Sequence, residues 1–302
     1  MTELRKTPDM NAASWSHYNP VRVLFRPGVL KRIADHVDSQ RVALVTTPGF
    51  RQRGTLDSLA TALGSRVVDV IDDVKPNPDI DDLQSQSIRL RSKRPDTLIA
   101  LGGGSTIDTT KALARLLTQP EGTSLKALLR GEVAATAAPA LTVIAIPTTA
   151  GTGAEVTPFG TVWDHAGKMK YSITGEDLYP KLAILDPELT LEMPAEITVA
   201  SGLDAISHAL ESGWNRNATP VTLGLVTKSL RLSMQSLAAA KENPGDIEAR
   251  AAMMQASMLA GLAISQTRTA LAHSISYPLT ANFADSTWTR GLGAFPLCKA
   301  NS

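Results

Sequence analysis

An α/β unit built on a parallel sheet, followed by an all-helical unit, is the fold class that three features of the sequence predict. Short apolar runs alternate with helical patterns through the first half, the pattern of βαβ units. One of these runs, TLIALGGGS over 97–105, passes straight into a glycine turn and then a helix. Near Pro187 the character changes, and from 188 to 281 the pattern is helical and rich in Ala, Leu, Met and Ser. The expected boundary is at about residue 190, giving an α/β domain over 1–190 and a helical domain over 191–302.

The elements justify this in order. RVALVT (41–46) reads as a buried strand bounded by Pro48 and Gly49, and 52–64 as a helix ending at Gly64. RVVDVID (66–72) reads as a second strand, closed by the breaker run KPNPD. Residues 79–93 are amphipathic and helical. TIDTTKALARLL continues from the glycine turn as a helix, and LTVIAIPTTAGTG reads as a strand running into a loop of small residues.

Bulk properties exclude several classes of function. Of 302 residues 43% are hydrophobic, and 30 basic against 29 acidic residues leave a net charge of +1. That balance makes no electrostatic case for nucleic acid or an anionic membrane surface. Aromatic residues, at 4%, are too sparse for base-stacking platforms. A single cysteine, Cys298, rules out a disulfide within the chain and suits a reducing compartment. The first twenty residues lack the apolar core of a signal peptide, and no apolar run approaches the ~20 residues that span a bilayer. The expectation is a cytoplasmic protein with a small-molecule ligand; the oligomeric state is left open, a homo-oligomer included.

Gly102, Gly103, Gly104 and Ser105 stand between a buried strand and a helix. Backbone amides at such a helix start point outward, the helix dipole favours a negative group, and glycines let a pyrophosphate approach the backbone. Asp108 lies in the first turn, where it can cap amides or touch a cofactor. The alternative is a structural tight turn, and the motif departs from the usual GxGxxG, which points to a Rossmann-like variant. The second loop, IPTTAGTGAEVTP (146–158), carries Thr148, Thr149 and Thr152. Two small-residue loops at strand ends define a crevice, the usual ligand position in an open α/β sheet. The nicotinamide cofactors NADPH and NADH both suit it, with Lys170 in the expected binding set. The first strand ends in Thr46, Thr47 and Pro48 without an acid for the adenine ribose, and Arg51 and Arg53 follow. This favours NADPH, whose phosphate pairs well with arginine, unless both arginines are simply solvated.

SGLDAISHALES places Asp204 and His208 four residues apart on one helical face, and TALAHSISYPLT adds His273. One carboxylate and two imidazoles suit a divalent transition metal, Fe²⁺ or Zn²⁺. A surface ion pair and a satisfied core histidine are the alternatives. His36 and His165 read as surface residues.

Together, ALGGGSTIDTTKA, IPTTAGTGAEVTP, ILDPELT, GLDAISHA and the HSISYP region resemble the iron-containing alcohol dehydrogenase family, in family order from about 21 to 281. The resemblance implies an N-terminal dinucleotide-binding domain and a C-terminal metal-binding domain. It also implies metal ligation by Asp204, His208, His273 and one further histidine. Where many members carry a second histidine that assists proton transfer, this chain has Tyr277, whose hydroxyl can also donate. Where the family has its last ligand, in a Pro-His-Gly segment, this chain has Thr287. From Ala284 onward nothing matches the family. Reading the codons from Asp285 one base later permits Ile-Pro-His-Gly, the glycine being forced by the single tryptophan codon followed by Thr289. A frameshift near residue 284, leaving the metal-binding domain incomplete, is the expectation.

Within the family, QTRTALAHSISYPLT looks most like phosphonoacetaldehyde reductases, which make 2-hydroxyethylphosphonate. Arg268, five residues before His273, can serve such a substrate's phosphonate if it faces the metal pocket. Sulfoacetaldehyde needs the same cation, and short neutral alcohols or aldehydes follow if Arg268 points away. The rival of another class is a catalytically dead nucleotide-binding remnant, with apolar faces uncovered and metal held poorly.

Overall fold

The computed structural model describes residues 14–276 of the chain. Its α/β part contains β1 (Arg22–Phe25), β2 (Val42–Thr46), α1 (Pro48–Gln52), α2 (Thr55–Leu63), β3 (Val67–Ile71), α3 (Ile80–Lys93), β4 (Thr97–Gly102), α4 (Gly104–Leu116), α5 (Leu125–Leu129) and β5 (Thr142–Pro147). An antiparallel hairpin of β6 (Phe159–Asp164) and β7 (Met169–Thr174) follows, then β8 (Leu182–Leu185). Three long helices follow, α6 (Ala195–Gly213), α7 (Pro220–Glu242) and α8 (Ile247–Thr267), before a helical turn over 271–276. This is the fold class expected from the sequence.

Six strands form one parallel sheet in the order β1-β8-β5-β4-β2-β3. It is buried on both faces, so its strands read as unbroken apolar runs rather than alternating ones. On β4, Leu98 packs with Leu83, Leu90 and Leu113 on one side. Its neighbour Ile99 packs with Ile33, Leu44 and Leu56 on the other. Chain direction across the sheet reverses between β2 and β4, because β3 lies on the far side of β2. A crevice opens at such a switch point, beyond the strand C-termini.

The sequence reading differs in three places. One helix was expected over 52–64; α2 begins only at Thr55, after Gly54, whose φ of 74° no helix accommodates, and the short α1 precedes it as a separate turn. β1 and β8 were not anticipated, since four residues each give too short a period to register. The β6–β7 hairpin was also missed. It follows Pro158 and a glycine-rich loop, so local composition spoke for an irregular segment.

Specific polar contacts fix how the helical part begins. Arg250, only 1% exposed, donates to Thr198 Oγ1 at 2.7 Å and to the carbonyls of Met193 and Pro244 at 3.2 and 3.1 Å. It thereby pins the segment entering α6 to the start of α8. Among the described residues, no helix is long and apolar enough to cross a membrane.

Candidate functional site

Two clefts lie side by side, sharing the loop between β5 and β6. The first sits at the sheet's switch point and is lined by Thr47, Gly103, Gly104, Ser105, Thr148 and Thr149. Gly103, in extended conformation, precedes α4, and no side chain caps that helix. An anionic group is the natural occupant of such a helix start. The glycines are also required by packing: a Cβ on Gly104 would lie 2.6 Å from Thr152 Cγ2. Gly102 is likewise pressed against the Thr106 side chain. Ser105 Oγ accepts a hydrogen bond from the Asn77 amide at 3.2 Å.

The arginines separate. Arg51 turns outward to pair with Asp72, with Asp57 3.8 Å away, and is not among the residues that line the cleft. Of the two expected phosphate partners, Arg53 is the one on the cleft. It lines the cleft with Lys75, its guanidinium stacked 4.4 Å from the centroid of Phe50. Two positions apart at the end of α1, the two side chains point to opposite sides, and sequence order alone does not say which side meets the cleft.

The second cleft contains Asp108, Lys170, Asp204, His208, Arg268 and His273. Asp108, read from the sequence as an amide cap or a cofactor contact, lies beyond the first turn of α4 and lines this cleft. Its carboxylate accepts from the Thr161 amide at 2.9 Å and so ties the hairpin to α4. Burial pushes the Asp108 carboxyl up to about 6, against the opposing pull of Lys111. Burial also pulls the Lys170 ammonium down to about 7. Thr152 lines this cleft as well.

Asp204 and His208 project from one face of α6, and the helical turn at 271–276 brings His273 against them. Asp204 Oδ1 is 3.4 Å from His273 Nε2, and Asp204 Oδ2 is 3.8 Å from His208 Nδ1. The two imidazoles stack with centroids 4.4 Å apart. One donor atom from each of the three residues lies within 4.8 Å of the others, and all three residues are buried. Burial pushes Asp204 up, but the charges on His208 and His273 overcome this and hold it below the ordinary carboxylate value. Burial lowers His208. For His273 burial also lowers, yet hydrogen bonds to Asp204 and Glu211 raise it to about 9. A buried carboxylate beside two imidazoles, brought together from α6 and the 271–276 turn, fits Fe²⁺ or Zn²⁺ by the chemistry of its donors.

Glu211 was not singled out in the sequence. It is fully buried, and its carboxylate oxygen lies 2.5 Å from His273 Nδ1. Its position three residues after His208 was the available signal, since it shares the helical face of Asp204 and His208. Arg268 donates to Thr174 Oγ1 at 3.0 Å, and its guanidinium lies 4.7 Å from the centroid of Phe159. Tyr277, Thr287 and the rest of 277–302 lie outside the described residues.

The sequence pattern of the iron-containing alcohol dehydrogenase family matches residues 20–187, and that of the family's C-terminal part matches 198–285. The chain belongs to the iron-containing alcohol dehydrogenase family. Among its relatives in that family is the phosphonoacetaldehyde reductase of Streptomyces viridochromogenes, 36% identical over 80% of this chain and 61% of that protein. The NAD-dependent methanol dehydrogenase of Bacillus methanolicus is 34% identical over 85% of this chain and 68% of its own length. Among solved family structures, the sulfoacetaldehyde reductase from Bifidobacterium kashiwanohense in complex with NAD⁺ superposes with a TM-score of 0.85. It is 30% identical, over 96% of this chain and 74% of that one. The chain spans between about a third and two-thirds of the length of curated family relatives, from 31% to 68%.

Proposed function

We propose that this chain is a metal-dependent, NADPH-linked reductase of a small anionic aldehyde, converting phosphonoacetaldehyde to 2-hydroxyethylphosphonate. The observation that carries the proposal is one cleft in which Arg268 and Lys170 lie with Asp204, His208 and His273. When bound, a divalent metal polarises a carbonyl oxygen, and reduced nicotinamide supplies hydride.

The chain's own residues do the rest. Asp204, His208 and His273 hold the metal. The amides at the start of α4, with Ser105, Thr148 and Thr149, take the pyrophosphate of the dinucleotide. Thr47, standing where an acid would select the ribose hydroxyl, and Arg53 on the same cleft support NADPH over NADH. Arg268 takes the substrate's anionic group, while Phe159 and Ile264 in the same cleft keep water from the carbonyl. Tyr277 is assigned the proton of the alcohol product. On this reading the cofactor half ends near residue 190 and the metal half follows. Cys298 as the lone cysteine supports a reducing setting such as the cytoplasm.

The test is NADPH oxidation by the purified chain, loaded with Fe²⁺ or Zn²⁺, against phosphonoacetaldehyde, sulfoacetaldehyde and propanal. A kcat/KM highest for phosphonoacetaldehyde is expected. Preference for the sulfonate reassigns the anion, and equal rates with propanal sink the role of Arg268. NADPH binding without turnover of any of the three overturns the substrate class.

A further inference from the structure

We infer that Glu211 is a positioning residue for the metal site: it selects the ring tautomer of His273 and sets the affinity for the ion. The inference rests on the metal-site reading above. It concerns a group that touches neither the ion nor the substrate.

Asp204, His208 and Glu211 stand at i, i+4 and i+7 on α6, so the three side chains share one face. The first two face His273 across the cleft. Glu211 instead reaches the segment that carries His273 and makes three contacts there. Its Oε2 is 2.5 Å from His273 Nδ1 and 3.0 Å from the Ala270 amide, and its Oε1 is 3.2 Å from the His273 amide. A neutral imidazole carries one ring proton. In the metal-bound form, the carboxylate oxygen against Nδ1 would keep that proton on Nδ1 and leave Nε2, 3.4 Å from Asp204 Oδ1, for the ion. Nε2 is the nitrogen a metal ion shared with Asp204 requires.

A carboxylate hydrogen-bonded to the far nitrogen of a ligating histidine fixes its orientation and raises its basicity. The two amide contacts hold the backbone under the ring, so ring rotation and ring translation are both restrained. The same grip holds the chain five residues from Arg268, which links metal and substrate ends of the cleft. A fully buried carboxylate is costly to desolvate, which argues against a merely incidental placement. Among the described residues, its hydrogen-bond partners lie on the 270–273 segment.

The experiment uses the full chain and Co²⁺ as the probe, titrated into wild type and Glu211→Gln, with NADPH affinity measured on both. The amide of Gln cannot accept all three contacts and brings no charge. Co²⁺ binding weakened by about 10- to 100-fold, with NADPH affinity unchanged, is the expected result. Equal Co²⁺ affinity overturns the inference. Wild-type chain that binds NADPH but no Co²⁺ overturns the metal-site reading, and the inference falls with it. A second measurement needs no Glu211 variant to fold: nitrogen-detected NMR of the zinc-loaded wild type with labelled histidine. The His273 signals are those lost in His273→Asn. A proton on Nδ1 supports the inference, and a proton on Nε2 overturns it. Should Glu211→Gln lose NADPH binding as well, the tautomer alone decides.

Discussion

Arg268 holds an uncommon backbone conformation for its residue type, with φ at 67° just beyond the end of α8. For a residue with a side chain this costs on the order of 1–2 kcal/mol, and such strain persists where the surroundings enforce it. Here the enforcing contacts are Thr174 and the Phe159 ring, which together aim the guanidinium along the cleft. Alanine tolerates that φ no better than arginine, so Arg268→Ala changes stability little and isolates the charge. Its KM for phosphonoacetaldehyde is expected to rise by about 10- to 100-fold, the worth of one or two charge-assisted hydrogen bonds, while propanal kinetics stay within about two-fold. A KM that rises equally for both aldehydes would show that Arg268 shapes the pocket and reads no charge. At this scale the sequence was informative where spacing along one helix sufficed, as for Asp204 and His208. It was silent on Glu211 against His273, 62 positions apart, and could not separate Arg51 from Arg53.

Between elements, the decisive contact is the crossing of the β5–β6 loop with α8. Gly153 has φ of 61°, and a Cβ there would overlap Gly261 on α8; a Cβ on Gly261 would lie 2.7 Å from Gly153 Cα. Two backbones touch with nothing between them, and through this point the cofactor loop and the helical bundle meet. Gly261→Ala is expected to lower stability by about 1–3 kcal/mol through overpacking, despite the better helix propensity of alanine. Gly224→Ala, at an exposed position of α7 with open space around its Cβ, is the control and should gain about 0.5–1 kcal/mol. Urea unfolding midpoints measure both, and a Gly261→Ala chain as stable as wild type would show that the crossing yields freely. The sequence displayed both glycines but not their meeting. Gly261 sits in an Ala-rich helix, where small residues carry no message about which of them is touched.

At the scale of the molecule, one buried cation organises the space between sheet, loop and hairpin. Lys111 is fully buried and donates to the carbonyls of Ala154, Thr157 and Phe159 at 2.7, 2.7 and 2.8 Å. Beside it Glu155 is 2% exposed, and burial raises its carboxyl from 4.5 to about 7. Burial lowers the ammonium of Lys111 from 10.5 to about 8. The raised acid binds its proton more tightly in the folded chain than in the unfolded one. Its contribution is therefore intact below pH 4.5 and is lost as pH rises through about 7. Glutamine mimics the neutral acid at every pH. The stability of Glu155→Gln relative to wild type should thus grow by about 3 kcal/mol between about pH 4 and pH 8, followed by urea unfolding. A difference that does not change with pH would mean that Glu155 is ionised throughout, held by Lys111.

By itself the sequence determined the fold class, the order of its main strands and helices, the glycine-rich helix start, and the Asp204–His208 pair of the donor cluster. These rest on period, breaker residues and spacing within one element, all properties of short stretches of chain. The tertiary structure alone decided the strand order that puts a crevice between β2 and β4, and the choice of Arg53 over Arg51. It also decided the side of α4 on which Asp108 acts and the grip of Glu211 on His273. Each of these depends on contacts between residues far apart in sequence, chosen by burial and close packing of whole elements, and no local pattern carries them.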